Sequence, residues 1–369
     1  MNVLKACAIA VFVSCSAATA ASYFSVQSIQ CDTNGQITIA WPAVPYKTFY
    51  VQATDSPTNL WQDLPGVQLV THTNDSVLSY ADTNAVGVLQ RFYRVRTRLT
   101  SSITVLVLDC SGSMMADGGS TILPGGVNAF LSYFNETNDI VGMVTFSTIA
   151  TVSIPTQPLP FKAIISNAVS HLNYSGSTFS QGGLTDAFAQ IQSVPLLPGE
   201  TPIKAVVFFT DGGANIVQDT LNCGSPALWN FGGYDAPSTQ ISFFNPTNGA
   251  VYCTKGVAPP TCCPLVTSFP SLHGAGGTLS FTADNVRAEA EDRTIQTAND
   301  MRANGITVYA IGLGTSVDPL FLQIIANDPA SILFDPTKPV GIAVIASTST
   351  NIVQAFQQIA SQIHTNAGP

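Results

Sequence analysis

Four nearly continuous apolar runs constrain the fold of this chain more than any other feature. They are ITVLVLD from residue 103, DIVGMVTFST from residue 139, IKAVVFFTD from residue 203 and GITVYAIGLG from residue 305. Runs of this kind are typical of strands that are covered on both faces, as in parallel sheets. Helix-length segments lie between and after them, at about 124–136, 160–172, 180–193, 284–303 and 350–364. This alternation predicts an α/β domain with a doubly wound, mainly parallel sheet.

Hydroxyl and carboxylate side chains gather where two of these runs end. Asp109, Ser111 and Ser113 follow the first run at alternate positions, Asp211 ends another, and Thr178 lies in the loop SGSTFS before a helix. Ligands of open α/β sheets bind outside the carboxyl ends of the strands. Oxygen ligands suit a hard cation such as magnesium, which prefers octahedral coordination and keeps some waters. Each residue alone is an ordinary turn or helix-cap residue, but their joint order predicts a divalent metal site.

This constellation resembles the metal-ion-dependent adhesion site of the von Willebrand factor type A (VWA) domain. Asp109, Ser111 and Ser113 match its Asp-x-Ser-x-Ser element, Thr178 matches the threonine of its second loop, and Asp211 matches the aspartate of its third loop. The second loop reads GST here, where the family frequently has GGT. The resemblance implies a VWA domain over residues 102–366, interrupted by an unusual Cys-rich insertion at about 213–280.

The resemblance also implies a function. In the family, Ser111, Ser113 and Thr178 would contact the metal directly, Asp109 and Asp211 would act partly through water, and an acidic group of the partner would complete the shell. The expected cofactor is Mg²⁺, with Mn²⁺ or Ca²⁺ as alternatives. The expected activity is metal-dependent binding of a protein or surface ligand that carries an acidic residue, without catalysis. The alternative is a non-catalytic envelope or pilus-associated scaffold in which the metal is structural.

Further segments are similar to a bacterial branch of this family. LVLDCSGSM and FQQIASQI resemble the exported VWA domains related to the Tad-type pilus protein TadG. Those proteins usually carry an N-terminal membrane helix in a pilin-like region, whereas a signal peptide and a β-sandwich are expected here. The resemblance therefore implies extracellular or envelope-linked adhesion more than a role in pilus assembly.

The N-terminal residues 1–21 have the pattern of a signal peptide. Lys5 precedes an apolar run over residues 6–13, and small residues end in Ala-Thr-Ala at residues 18–20. The run is too short to cross a bilayer of about 30 Å. Cleavage before Cys15 with lipid attachment is the alternative. The sequence thus predicts a secreted or cell-envelope protein, with no transmembrane segment after signal removal.

Export would place the remaining cysteines in an oxidising compartment, where disulfides form. Four of them lie in the insertion, namely Cys223, Cys253, Cys262 and Cys263, and at least one disulfide is expected there. Adjacent Cys262 and Cys263 should not pair with each other, because neighbouring Cα atoms are only about 3.8 Å apart and disulfides need about 4.4–6.8 Å. Zinc is the rival interpretation, but CTKGVAPPTCC lacks Cys-x-x-Cys spacing and His273 is the only imidazole nearby. Cys110 is either a small buried residue or a partner for Cys31.

Residues 22–99 have a different sequence pattern, in which short runs of alternating apolar and polar residues are separated by turn signals. GQITIAW, TFYVQAT and RFYRVRT are examples, and strands at this even spacing predict a small all-β sandwich. The spacing, together with Trp41 and Trp61, resembles the fibronectin type III-like modules of bacterial exported proteins.

Composition and motifs argue against other classes of function. The net charge is −9 and only 9% of residues are charged, so no basic surface for nucleic acid is expected. A phosphoaspartyl enzyme would need a second acid two places after Asp109, where Ser111 stands. The four histidines lie in no hydrolase motif, and IGLGTS has too few glycines for a dinucleotide site. We therefore expect no catalytic residues.

Overall fold

The computed structural model describes most of the chain after residue 20. The described residues are 21–24, 26–44, 47–70, 76–88, 90–98, 100–157, 160–197, 200–223, 225–233, 240–253, 256–257, 263, 266–272, 277–346 and 349–366. Nearly all of the expected signal peptide, including Cys15, lies outside them, as do Cys262 and His273. The chain divides into two compact units, one taking residues up to 101 with 194–202, the other 102–193 with 203–369.

The first unit contains two antiparallel sheets. Its strands are β1 (Ala21–Phe24), β2 (Ser28–Cys31), β3 (Ile37–Pro42), β4 (Lys47–Thr54), β5 (Gln62–Val70), β6 (Val77–Asp82) and β7 (Phe92–Arg98), with a 3₁₀ turn at Thr83–Ala85. One sheet has the order β1-β7-β4-β5 and the other β2-β3-β6. Alternate residues of β3, including Ile39 and Trp41, pack with Phe49, Val51 and Val95 of the other sheet in one buried core. The two sheets therefore form a sandwich.

A buried ion pair anchors residues 194–202 in the first unit. Lys47 Nζ lies 2.5 Å from Glu200 Oε1, and both side chains are buried. The other carboxylate oxygen of Glu200 accepts a hydrogen bond from the backbone N–H of Leu197 (2.8 Å). Lys47 also donates to the Thr100 hydroxyl, so this buried charge pair has further hydrogen-bond partners, as buried charges require.

The second unit begins at strand β8. Its elements are β8 (Ser102–Asp109), α1 (Ser113–Ala116), α2 (Gly119–Leu131), β9 (Asp139–Phe146), β10 (Ala150–Gln157), α3 (Phe161–Val169), α4 (Ser180–Gln192), β11 (Ile203–Thr210), β12 (Ile216–Asn222), β13 (Pro226–Gly233), β14 (Gln240–Phe244), β15 (Gly256–Val257), β16 (Ser268–Ser271), β17 (Gly277–Ser280), α5 (Ala283–Ala303), β18 (Ile306–Leu313), α6 (Pro319–Ala326), β19 (Ala343–Ala346) and α7 (Ser349–Asn366).

The central sheet of this unit has six strands in the order β10-β9-β8-β11-β18-β19. Every neighbouring pair is parallel except β10 with β9. Leu106 and Leu108 of β8 pack in a core with α2, α3 and α7, while Val107 faces Gly183 of α4. Since side chains alternate across a strand, helices cover both faces. The predicted doubly wound, mainly parallel α/β fold is confirmed.

The helices that follow β8 begin at different residues from those that the sequence predicts. The helix expected at about 124–136 is α2, which begins at Gly119 and contains Pro124 in its interior. The short helix α1 precedes it and carries Ser113 as its first residue. The edge strands β10 and β19 and the helix α6 were not expected, because short edge elements lack the long apolar runs of central strands.

The insertion has its own small sheets. Strands β12-β13-β14-β15 form an antiparallel sheet and β16-β17 a two-stranded one. A disulfide joins Cys223 to Cys263, which confirms the expected cross-link and shows that Cys263 does not pair with its neighbour. Cys253 is also disulfide-bonded. Beyond these links, four phenylalanines pack their rings together, namely Phe231, Phe243, Phe269 and Phe281, so the insertion has an aromatic core that its sequence did not predict.

No helix within the described residues is both long enough and apolar enough to span a bilayer.

Candidate metal centre

Two aspartates lie side by side at the carboxyl edge of the central sheet. Asp109 is the last residue of β8, and Asp211 directly follows β11. These strands are parallel neighbours, with Leu108 opposite Phe209. Parallel strands end at the same edge of a sheet, so the fold brings together two carboxylates that are about a hundred residues apart in the sequence.

The Asp109 carboxylate is completely buried, and neighbouring groups donate hydrogen bonds to both of its oxygens. Its Oδ1 accepts a hydrogen bond from the backbone N–H of Ser111 (2.7 Å). Its Oδ2 accepts one from the Thr210 hydroxyl (2.6 Å). Asp109 is therefore fixed in position by the loop that follows its own strand and by the last residue of the neighbouring one.

A chain of hydroxyls links this loop to Asp211. Ser111 and Ser113 have their hydroxyl oxygens 3.0 Å apart. The Ser113 hydroxyl donates to Asp211 Oδ1 (2.8 Å). Asp211 Oδ2 is buried and has no hydrogen-bond partner among the described residues. One carboxylate oxygen is thus held in place while the other is left without a donor.

Thr178 is brought to the same place by backbone contacts between loops. The backbone N–H of Gly112 donates to the carbonyl oxygen of Gly176 (3.1 Å), which ties the second loop to the serine loop. Thr178 donates its N–H to Asn215 Oδ1 (2.8 Å), and the Asn215 N–H donates to the Thr178 carbonyl (3.0 Å). The start of the insertion therefore supports the threonine loop.

Gly176 is required where it stands. Its φ is +84°, in the left-handed region, and a Cβ there would lie 2.3 Å from Thr148 Oγ1. That hydroxyl accepts a hydrogen bond from the Ser177 N–H. A side chain at Gly176 would therefore be strained and would displace the loop that carries Thr178.

Burial and mutual repulsion make the two carboxylates hard to ionise without a cation. Burial raises the pKa of Asp109 to about 6, although hydrogen bonds from Thr210 and Ser111 act in the opposite direction. Burial, and after it the negative charge of Asp109, raises the pKa of Asp211 to about 7. A divalent cation next to them would favour the ionised forms.

A cleft opens from this edge of the sheet. It has a volume of about 420 Å³ and is lined by Ser113, Asp117, Thr178, Asp211, Gly212, Gly213, Asn215, Arg287, Glu291, Ser316 and Asp318. Ser113 is exposed, whereas Ser111 and Asp109 lie buried beneath it. Three of the five predicted site residues thus line the cleft, while Asp109 and Ser111 are buried and are not part of its lining.

The donor set fits a hard cation. It consists of three hydroxyls and two carboxylates, and one buried carboxylate oxygen, Asp211 Oδ2, has no partner among the described residues. Oxygen donors of this kind suit Mg²⁺ better than the softer metals that prefer sulfur and imidazole. Within the described ranges no three His, Cys, Asp or Glu side chains converge as metal ligands, so a metal here would depend on the hydroxyls.

Two residues of this arrangement, Thr210 and Asn215, carry little signal in the sequence. Thr210 precedes Asp211 in FFTDGG, where a hydroxyl next to a strand-end aspartate is the only signal. Asn215 follows in the same stretch and resembles an ordinary loop residue.

Cys110 is a buried free thiol, and burial raises its pKa to about 12. This agrees with the interpretation of Cys110 as a small buried residue.

No family model matches the chain, and no curated protein matches it significantly. Solved structures to which this chain is similar include a von Willebrand factor type A protein from Catenulispora acidiphila (15% identity, TM-score 0.41, 73% of this chain and 44% of that one). Proximal thread matrix protein 1 from the mussel byssus, with a zinc-occupied MIDAS motif, is similar at 15% identity and TM-score 0.39 over 71% of this chain and 46% of that one. The PilB minor pilin from Streptococcus sanguinis is similar at 15% identity and TM-score 0.48, over 95% of this chain and 80% of that one. This chain spans less than half the length of the first two.

Proposed function

We propose that this protein is an exported binding protein of VWA type that engages an acidic group of a protein or surface ligand through a divalent cation. The cation would be held by Asp109, Ser111, Ser113, Thr178 and Asp211. When bound, it would supply a positive charge for a carboxylate of the partner. Magnesium is the proposed ion, and no catalytic step is assigned to the site.

The observation that carries this proposal is the buried Asp211 Oδ2, which has no hydrogen-bond donor among the described residues. A buried polar atom without a partner is costly. Here the atom belongs to a carboxylate that shares its strand edge with a second carboxylate, Asp109. A cation at this point would satisfy Asp211 Oδ2 and offset the repulsion between the two acids.

Some residues would orient the metal ligands, and others would line the open side of the site. The Thr210 hydroxyl and the Ser111 N–H orient Asp109 through hydrogen bonds, and Asn215 orients the Thr178 loop. Ser113 and Asp211 line the open cleft. Because Ser113 is exposed, a partner could reach a metal at this site. A metal enclosed by protein ligands on all sides would be out of reach, so the exposure of Ser113 favours adhesion and argues against a purely structural metal.

The test uses the full chain on two surfaces that differ only in charge. Surface plasmon resonance would compare a carboxymethyl-dextran surface with the same surface after amidation, in magnesium and in a chelator. We expect binding only to the carboxylate surface in magnesium. The chain itself carries a net charge of −9, so without a bridging cation it should be repelled from that surface.

Matched variants separate the site from general charge effects. Asp211→Asn should abolish magnesium-dependent binding, because it removes one charged ligand with little change of shape. Asp300→Asn changes an exposed aspartate that does not line this cleft and should bind as the wild type does. Equal binding by wild type and Asp211→Asn would refute the proposal.

A further inference from the structure

We propose that the cleft selects a partner whose acidic residue is accompanied by a basic one, and that the acidic rim formed by Asp117, Glu291 and Asp318 receives this basic group. The inference rests on the proposed function and specifies the partner that it leaves open. It identifies the three rim residues as determinants of specificity that do not hold the metal.

The acidic rim comes from three separate elements. Asp117 follows α1, Glu291 lies in α5, and Asp318 is the N-cap of α6. All three line the same cleft as Ser113 and Asp211. Glu291 reaches inward, since its Oε1 lies 3.0 Å from the position that a Cβ on Gly213 would take.

The rim carboxylates lie near enough to other acids to affect their ionisation. Burial and then the charge of Asp318 raise the pKa of Glu291, which Arg287 partly offsets. The acids of the cleft therefore repel one another.

The charges of the cleft do not balance even with a metal in place. The rim contributes three carboxylates and the predicted metal centre two, whereas Arg287 is the only cationic side chain among the described residues that line the cleft. Five carboxylates against one guanidinium and one divalent cation leave two negative charges uncompensated. A partner that offered only a carboxylate would add a third, and juxtaposed like charges are unfavourable in a recessed site.

Two members of the rim are open to solvent. Asp318 Oδ1 accepts a hydrogen bond from the Leu320 N–H as a helix cap (2.9 Å), a contact that leaves its charge in place. Asp117 and Asp318 are both exposed. A basic side chain of the partner would find acceptors here while its acidic neighbour approached the metal.

A second metal ion is a weaker account of the rim. Over the described part of the chain, no three acidic, histidine or cysteine side chains come close enough together to hold a metal. A lysine or arginine of a partner does not need such convergence, because its long side chain can reach acids that are spread around a rim.

The experiment begins with selection of random peptides displayed on phage against the immobilised full chain in magnesium, with elution by a chelator. We expect the eluted peptides to contain an acidic residue with a lysine or arginine within about three positions. One such peptide would then be synthesised in three forms, namely as selected, with the base replaced by glutamine, and with the acid replaced by its amide. Fluorescence anisotropy would give the affinity of each form.

The variants are chosen so that the fold is preserved. Asp117→Asn combined with Asp318→Asn removes two exposed charges, and asparagine is as good a helix cap as aspartate. Asp300→Asn is the control, and thermal melts would verify folding. Replacing the base should weaken binding to wild type and to Asp300→Asn by about three- to tenfold, the size expected of two exposed charge pairs. It should weaken binding to the double variant by a clearly smaller factor, because only Glu291 of the rim keeps its charge there.

Two kinds of failure can be told apart. If the peptides carry an acid without an enriched base, or if replacing the base costs the same on wild type and double variant, the role of the rim is refuted and the proposed function stands. If replacing the acid by its amide has no effect, or if binding persists in the chelator, the proposed function is refuted and this inference fails with it.

Discussion

Replacing Asp109 with asparagine should make the metal-free protein more stable while it abolishes the response to magnesium. Asp109 is buried and shares its strand edge with Asp211. In a chelator at pH 8, both carboxylates are ionised without a counter-charge. Asp109→Asn removes one of these charges and keeps the shape of the side chain.

The size of the effect follows from the pKa of Asp109. Burial raises that pKa from 3.8 to about 6, and two pKa units correspond to a free-energy cost on the order of 3 kcal/mol for ionising the group at high pH. About 1 kcal/mol of the gain would be lost, because hydrogen bonds to a neutral amide are weaker than those to a carboxylate. The net gain of about 2 kcal/mol should raise Tm by about 4–8 °C in a domain of this size.

The neighbours of Asp109 can accept the amide. The carbonyl oxygen of the substituted side chain would still accept from the Ser111 N–H. The Thr210 hydroxyl lies 3.0 Å from the Gly212 carbonyl oxygen, so it can donate there and accept from the new amide group. The Ser111 N–H and the Thr210 hydroxyl therefore each keep a hydrogen-bond partner.

The assay is scanning calorimetry of the full chain at pH 8, in a chelator and in saturating magnesium. Wild type should gain stability from magnesium, and Asp109→Asn should show a raised Tm that magnesium does not change. The control is Asp139→Asn, which changes a buried aspartate at the start of β9, bonded to Ser102 and to the Asn135 N–H. That variant should keep the magnesium response. A lower Tm for metal-free Asp109→Asn than for metal-free wild type would refute the electrostatic reasoning.

Three further outcomes are expected. Metal-free wild type should melt at a higher temperature at pH 5 than at pH 8, because the pKa values of Asp109 and Asp211 are raised in the folded protein to about 6 and about 7. The stability that these two neutral carboxyl groups contribute is complete below about pH 3.8, the unfolded value, and is lost as the pH rises through the folded values. Calorimetry should also show that magnesium abolishes or reverses this order of the two melting temperatures. Gly176→Ala should weaken magnesium binding in calorimetric titration, whereas Gly87→Ala, which has the same φ of +84° but no atom within 4 Å of the new Cβ, should leave it unchanged. Replacing both Cys223 and Cys263 by serine should lower stability by about 4 kcal/mol in a chain-entropy model for a loop of 40 residues, which urea unfolding and limited proteolysis of the insertion would detect.

The central sheet was predictable because its strands carry a strong local signal. Runs such as IKAVVFFTD are apolar on both faces, and helices of ordinary length separate them. The edge strand β10 contains ATVSIPTQ, which has alternating polar residues and a proline and so resembles a loop. Helix α6 has only eight residues, too few for a clear helical period.

The site was predictable in part for a similar reason. Asp109, Ser111 and Ser113 lie together in the sequence, and Asp211 ends a recognisable strand. Thr210 and Asn215 could not be singled out, because their roles depend on pairings across the fold. The acidic rim was also invisible, since its three members lie far apart in the sequence and meet only where separate elements end at one cleft.

The outer strand of the central sheet limits how another chain could attach to this unit. Strand β10 pairs with β9 in a register that shifts twice, between Val152 and Ile154 and between Ile154 and Gln157, and Pro155 offers no backbone N–H. A peptide that extended the sheet along this margin would meet an interrupted ladder of donors and acceptors, and such irregular borders discourage fibre-like stacking of copies. Copies of this unit at high local concentration should therefore not pair along this strand, so that the cleft of each copy stays available.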